Sequence, residues 1–198
     1  MTRTRFNALI LQTLFQPREA AGVLIGMDLP RQWLWMALAL MSVLNAIVYS
    51  LSLQMTASGD PTATALMPPA FHAPLLFAIF LFGALAITVL TLTWIGQRLG
   101  GRAEMDDILV LIGWLQVLRL ILQVVVVVLV LVVPVLGAMV IFVGSLWGIY
   151  ILVGFVDAAH RFDNMFKAVG VILLSLIAMA VALSIVLSVL GVAVVGGA

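Results

Sequence analysis

Residues 108–156 read ILVLIGWLQVLRLILQVVVVVLVLVVPVLGAMVIFVGSLWGIYILVGFV, and this stretch decides the fold. Its only charged side chain is that of Arg119. A helix needs about 20 apolar residues to cross the hydrocarbon core of a bilayer, so the stretch is too long for one span and suits two. Pro134 and Gly137 lie near its middle and predict a hairpin there, because proline cannot continue a helix.

Further apolar segments lie on both sides of this pair, beyond the charged loops 97–107 and 157–167. Their runs are continuous rather than alternating, which favours helices over the strands of a membrane barrel. The sequence therefore predicts an all-α polytopic bundle of five transmembrane helices over residues 31–198, preceded by an N-terminal segment of residues 1–30. The predicted spans are residues 33–53, 75–95, 108–133, 135–156 and 168–195.

The composition agrees with a membrane protein. Hydrophobic residues make up 65% of the 198 and charged residues only 9%, whereas a soluble domain carries about a quarter charged residues. The formal net charge of +1 leaves no large basic surface, so no nucleic-acid partner is expected. The partner that the composition itself requires is the lipid bilayer.

The basic residues predict the orientation through the positive-inside rule. They occur before the first span and in the loops after the second and fourth spans, and they are missing from the other connections. This alternation predicts a cytoplasmic N-terminus and an external C-terminus, and only Arg119 departs from it. The residues that obey the rule are Arg3, Arg5, Arg18, Arg31, Arg98, Arg102, Arg161 and Lys167.

The segment before the first span has two interpretations. Phe6, Leu9, Ile10 and Leu14 recur at helical spacing, and Pro17 interrupts the pattern. The segment is either an interfacial helix pair that docks on the membrane or a partner, or a short helix packed under the bundle.

Gln116, Arg119 and Gln123 form a polar stripe in the third span, since their spacing places them on one helix face. An arginine at the centre of a membrane helix costs about 2.5–3.5 kcal/mol on insertion scales. Arg119 either snorkels to the cytoplasmic face, or marks the true start of the span, or lines a polar cavity that binds an anion or a lipid headgroup.

Small residues mark helix-packing positions. Gly144 and Gly148 lie about one turn apart, and Ala180, Ser184 and Ser188 form a similar stripe in the fifth span. Small residues let a neighbouring helix approach closely. These positions are either a homodimer face or the packing contacts among the five spans.

Two polar loops emerge on the predicted cytoplasmic side and together predict a docking surface. Its residues are Arg102, Asp106, Asp107, Asp157, His160 and Arg161.

The sequence lacks the motifs of an enzyme. There is no cysteine, no HExxH, no GxSxG and no Walker lysine motif. We therefore expect no catalytic residue, no metal site and no cofactor.

Three stretches resemble the Yip family of Ypt/Rab-interacting membrane proteins. They are Pro17-Arg18-Glu19-Ala20, then Gly100-Gly101-Arg102-Ala103-Glu104, and the stretch from Trp147 to Phe155, WGIYILVGF. The resemblance covers about residues 10–190 and points to a bacterial member, while Gln116 and Arg119 depart from the family pattern. It implies five spans after a cytoplasmic segment, and a role as a membrane partner of other proteins, since eukaryotic relatives act in vesicle traffic with small GTPases.

The resulting expectation is a non-enzymatic, multi-pass protein of the bacterial cytoplasmic (inner) membrane. It would be a scaffold or interaction partner of other membrane proteins, with a homo-oligomer as a further option. The alternative is a small oligomeric transporter or channel that uses the stripe of Gln116, Arg119 and Gln123.

Overall fold

A computed structural model describes residues 3–57 and 73–189 of the chain. The regular structure of these residues is entirely helical, which confirms the predicted all-α class. The helices are α1 (Arg3–Phe15), α2 (Pro17–Ile25), α3 (Arg31–Ala57), α4 (Pro74–Arg98), α5 (Met105–Val132), α6 (Pro134–His160) and α7 (Met165–Val189).

Five helices, α3 to α7, are long and apolar enough to cross a membrane, which confirms the predicted number of spans. With 28 residues in α5 and 27 in α6, each is about 40 Å long at 1.5 Å per residue. This length matches a bilayer with its headgroup regions, about 40–45 Å. The helical form satisfies the backbone polar groups within each span, as hydrocarbon requires.

The chain reverses between α5 and α6 at a single residue. Val133 is extended, with φ −143° and ψ 91°, and Pro134 follows as the first residue of α6. Proline suits this position because its missing N–H would have no partner in the first turn.

Local interactions also fix where α5 begins and where α6 ends, beside the two charged loops. Glu104 and Asp107 form a capping box at the start of α5, and the Glu104 N–H donates to the Asp107 carboxylate at 3.0 Å. Helix α6 ends at His160, and Arg161 takes the left-handed conformation, with φ 55°. Asp157 therefore lies in the last turn of α6 rather than in the loop after it.

The five long helices pack in a closed ring in the order α3, α5, α6, α7, α4, and α4 returns to α3. The two short helices lie outside this ring, where α2 packs on α5 and α6, and α1 packs on α2 and α6. Buried side chains from the short helices, such as Leu9 and Leu24, join the same core as Ile108 and Phe155. The N-terminal segment is thus packed against the bundle.

Candidate functional site

One end of the ring carries most of the charged side chains of the described residues. At this end α4 and α6 finish while α3, α5 and α7 begin, and we call it the polar end. Two of the stretches that carry the family resemblance, residues 17–20 and 100–104, contact the last turns of α6, and the third lies in α6 itself.

The first contact joins Pro17, at the start of α2, to Gly154 of α6. Pro17 is buried, and a Cβ atom at Gly154 would lie 2.8 Å from the proline Cγ. Because that distance is shorter than any real contact, the glycine is what lets α2 lie against α6.

Arg18 fixes the same helix by charge. Its Nη2 lies 2.5 Å from Asp157 Oδ2 and 3.1 Å from Asp163 Oδ1. The Asp157 side chain is fully buried, whereas that of Arg18 is 42% exposed. The other Asp157 oxygen accepts the backbone N–H of Asn164 at 3.0 Å. The buried carboxylate is thereby neutralised and hydrogen-bonded, as burial of a charge requires.

His160 joins α6 to the end of α4 and to the loop that follows it. Its side chain is buried, and a Cβ atom at either Gly96 or Gly101 would overlap the imidazole ring. Its Nδ1 lies 3.0 Å from the carbonyl oxygen of Val156. The Arg102 N–H donates to the His160 carbonyl at 3.1 Å. The two glycines therefore form a cradle in which the ring is enclosed.

An ion pair links the first turns of α3 and α5. The Arg31 Nε and Nη2 donate to the two oxygens of Asp106 at 2.6 and 3.1 Å. The two side chains remain 56% and 34% exposed. This bidentate geometry fixes the relative orientation of the helix starts more than it adds stability.

The residues of the predicted docking surface all lie at the polar end, but they differ in exposure. Arg102 and Arg161 are exposed, Asp106 and Asp107 are half-buried, and Asp157 and His160 are buried. The side chains of the last two face into the protein.

Arg18 is not among the site residues that the sequence predicts. Its place beside Pro17 in a family-like stretch could have indicated it, since a charged residue in a packed segment needs a partner of opposite sign. No sequence pattern connects position 18 with position 157.

The polar stripe of α5 is divided between different environments. Gln116 is buried against α3, Gln123 is half-buried and Arg119 is exposed. Asn45 of α3 lies beside Gln116, and its Nδ2 donates to the carbonyl oxygens of Met41, at 2.8 Å, and Gln116, at 3.3 Å. Within the described part of the chain, Asn45 Oδ1 and Gln116 Oε1 are buried without a hydrogen-bond partner.

The predicted helix-packing positions also lie in different surroundings. A Cβ atom at Gly144 would lie 2.7 Å from Leu122 of α5, so this glycine serves packing within the bundle. Gly148 has open space beside it, and Ala180 and Ser184 are exposed. The side chain of Ser188 lies outside the described residues.

Among residues 3–57 and 73–189, no group of three His, Cys, Asp or Glu side chains is placed to hold a metal ion.

The family profile described as the Yip1 domain matches residues 11–197. Comparisons with curated proteins and with solved structures give no match. The matched residues include the three family-like stretches and cover nearly the whole chain, so the chain belongs to the Yip1 domain family.

Proposed function

We propose that this protein is a non-enzymatic scaffold of the bacterial cytoplasmic membrane, which binds a partner membrane protein through its polar end. In this proposal the N-terminus lies on the cytoplasmic side and the C-terminus lies outside, as the distribution of basic residues favours. The observation that carries the proposal is that two family-like stretches pack on the last turns of α6, Pro17 against Gly154 and Gly101 against His160.

A scaffold needs a surface whose shape is fixed before the partner arrives, because ordering side chains on binding costs affinity. The polar end has this property. Arg18 holds α2 to α6, Arg31 holds α3 to α5, and the cradle around His160 holds α4 to α6.

The exposed side chains on this framework indicate the chemistry of the partner. Arg102 and Arg161 are both exposed, and they flank the same residue, since the Arg102 N–H bonds the His160 carbonyl and Arg161 follows it in the chain. Guanidinium groups bind carboxylates and phosphates in bidentate geometry. The partner is therefore a membrane protein with acidic groups on its cytoplasmic side.

Co-purification from native membranes in a mild detergent tests this function. We expect a partner to be retained by the wild type and lost from the double variant Arg102→Ala/Arg161→Ala. The matched control is Arg98→Ala, because the Arg98 guanidinium is already engaged 4.6 Å above the Trp94 ring. A protein that reproducibly purifies alone would contradict the proposal.

A second candidate, a small oligomeric transporter or channel, is supported by one observation. The unpartnered oxygens of Asn45 and Gln116 lie inside the span region, where each costs about 1–3 kcal/mol if nothing binds to it. In an oligomer, the open positions at Gly148, Ala180 and Ser184 would form the contact between copies.

Substitution of Arg119 separates the two candidates. For a transporter, Arg119→Leu abolishes flux in liposomes. For a scaffold, the same change raises the yield of inserted protein, since the insertion cost of about 2.5–3.5 kcal/mol is removed, and leaves partner binding unchanged. Leu118→Ala, at the neighbouring position, is the control for a change in side-chain volume.

A further inference from the structure

The first helix, α1, reaches farther along the bundle from the polar end than its sequence indicates. Its end contacts the middle of α6, where the Trp147 Nε1–H donates to the Leu14 carbonyl at 2.9 Å. Trp147 precedes His160, the last residue of α6, by 13 positions, and therefore lies about 20 Å along the helix from the polar end. Because α6 is about 40 Å long, this contact lies near the middle of the helix, and in a helix that spans the bilayer that level is hydrocarbon.

The beginning of α1 lies nearer to the polar end. The rings of Phe6 and Trp114 meet edge to face, with centroids 5.5 Å apart. Trp114 follows Met105, the first residue of α5, by nine positions, which corresponds to about 14 Å. The end of α1 also contacts Trp114, through Thr13, but it reaches Trp147 as well, so the carboxyl-terminal end of α1 extends deeper than the position of Phe6.

A helix end at this depth must have its backbone groups satisfied, because water is not available there. The indole N–H of Trp147 bonds the Leu14 carbonyl, and the Gln16 N–H bonds the Gln12 carbonyl at 2.7 Å. The Thr13 hydroxyl donates to the Leu9 carbonyl at 2.7 Å and accepts the Trp114 Nε1–H at 3.0 Å. The Gln12 and Leu14 carbonyls, the Gln16 N–H and the Thr13 hydroxyl are thus satisfied within the protein.

The outward face of α1 changes in polarity along its length. Near the start, the exposed residues are Thr4, Arg5 and Asn7. Near the end they are Leu11 and Phe15, which are 57% and 69% exposed, and the exposed Gln16 follows the last residue of the helix. This gradient matches the greater depth of the carboxyl-terminal end, since polar side chains lie toward the headgroups and large apolar ones lie in the hydrocarbon.

The deep end of α1 also forms one wall of an apolar groove against α6. The groove has a volume of about 580 Å³ and is lined by Leu14, Phe15, Val143, Leu146, Trp147 and Tyr150. Its position along α6 places it in the acyl region of the leaflet.

We propose that α1 is inserted obliquely into the leaflet at the polar end, with Phe15 deepest, and that the groove beside it holds an acyl chain of a phospholipid from that leaflet. The added helix occupies space in one leaflet only. This inference requires that the five helices span the bilayer, and it is independent of the proposed scaffold function.

Single-cysteine labelling tests the insertion, because the chain contains no cysteine. The variants Thr4→Cys, Leu11→Cys and Phe15→Cys are labelled with bimane and reconstituted in vesicles of phosphatidylcholine and phosphatidylglycerol. Val143→Cys, in the groove, and Arg161→Cys, at the polar end, are the deep and shallow references. Quenching is measured with aqueous iodide and with lipids that carry a nitroxide near the headgroup or near the methyl end of the acyl chain.

We expect the Phe15 label to behave like the Val143 label. The deep nitroxide lipid should quench it most, and iodide should quench it about tenfold less than the Arg161 label, since hydrocarbon excludes ions. The Thr4 label should show the opposite order. A Phe15 label as accessible to iodide as that of Arg161, or insensitive to the deep nitroxide lipid, would overturn the proposal.

A second variant tests the role of Trp147 in holding the deep end. Trp147→Phe in the Phe15→Cys background removes the indole N–H and keeps an aromatic ring, and we expect iodide quenching to rise severalfold. Trp94→Phe, an exposed tryptophan on α4, is the control and should leave quenching unchanged. Unchanged quenching in Trp147→Phe would overturn the assignment of this residue as the cap of α1. If Trp147→Phe does not yield monodisperse protein, the three labelled positions still decide the insertion.

Discussion

His160 is enclosed by two glycines from a different part of the chain. The three atoms nearest to a Cβ atom built at Gly96 all belong to the imidazole ring. No side chain larger than hydrogen fits there while the ring keeps its position. The glycine at position 96 therefore determines how closely α4 approaches the end of α6.

We predict that Gly96→Ala destabilises the protein by about 1–3 kcal/mol, because the added methyl group overpacks a filled site. The melting temperature in detergent should fall by several degrees. Gly148→Ala is the matched control, since open space surrounds that glycine, and its effect should stay within about 0.5 kcal/mol.

A double variant identifies the cause of this loss. Gly96→Ala combined with His160→Ala should be less destabilised than the sum of the single changes, because the ring that clashes is gone. Additive losses would show that Gly96 matters for a reason other than the imidazole.

At the scale of helices, two ion pairs, Arg18–Asp157 and Arg31–Asp106, join different helices but differ in their exposure to solvent. The Asp157 carboxylate of the first pair is fully buried, whereas both members of the Arg31–Asp106 pair are substantially exposed. Water screens an exposed pair, and loss of one partner leaves little cost. A buried charge without its partner is costly.

Arg18→Ala should therefore destabilise the packing of α2 on α6 much more than Arg31→Ala destabilises the packing of α3 on α5. For Arg18→Ala we expect about 1–3 kcal/mol, below the cost of breaking a fully buried pair because Arg18 itself reaches solvent. Thermal unfolding in detergent, with Arg18→Lys as the conservative variant, measures the difference. Equal losses in the two alanine variants would contradict the importance of burial.

Asp157→Asn in the Arg18→Ala background completes this comparison. The amide removes the buried charge while its oxygen can still accept the Asn164 N–H. We expect the double variant to regain part of the lost stability. No recovery would mean that the stem of Arg18 stabilises α2 by packing rather than by charge.

At the scale of the whole molecule, an odd number of spans places the two termini on opposite sides. We predict that alkaline phosphatase fused to the C-terminus is active and that a green fluorescent protein fusion there is dark, as expected for an external end. Phosphatase inserted after Gly100, in the loop between α4 and α5, is the control and should be inactive. An inactive C-terminal phosphatase with a fluorescent fusion at the same position would contradict the proposed topology.

Much of the fold could be predicted because the hydropathy of each segment depends only on the residues of that segment. Each long apolar run must form its own backbone hydrogen bonds in lipid, so the number of spans followed from the sequence without knowledge of their packing. The stretch 108–156 showed two helices separated at Pro134, and α6 begins at that residue.

The site was less predictable because its contacts join residues that are far apart in the chain. The family-like stretches suggested that residues near positions 17, 101 and 154 matter, but not that Pro17 packs against Gly154 and Gly101 against His160. Asp157 and His160 looked like solvated loop residues, although both are fully buried. Burial depends on which helix covers a position, and the covering residues come from α2 and α4.

By itself, the sequence determined an all-helical membrane protein with five spans, because composition and run length are properties of a linear chain. It also contained three stretches that resemble the Yip family, and they lie within the residues that the family profile matches. The tertiary structure alone decided that α1 lies along the bundle beside Trp114 and Trp147, and that the charge of Arg18 is used to neutralise Asp157. The physical reason is that hydrophobic burial in lipid requires only local sequence, whereas ion pairing and helix depth depend on side chains that the fold brings together.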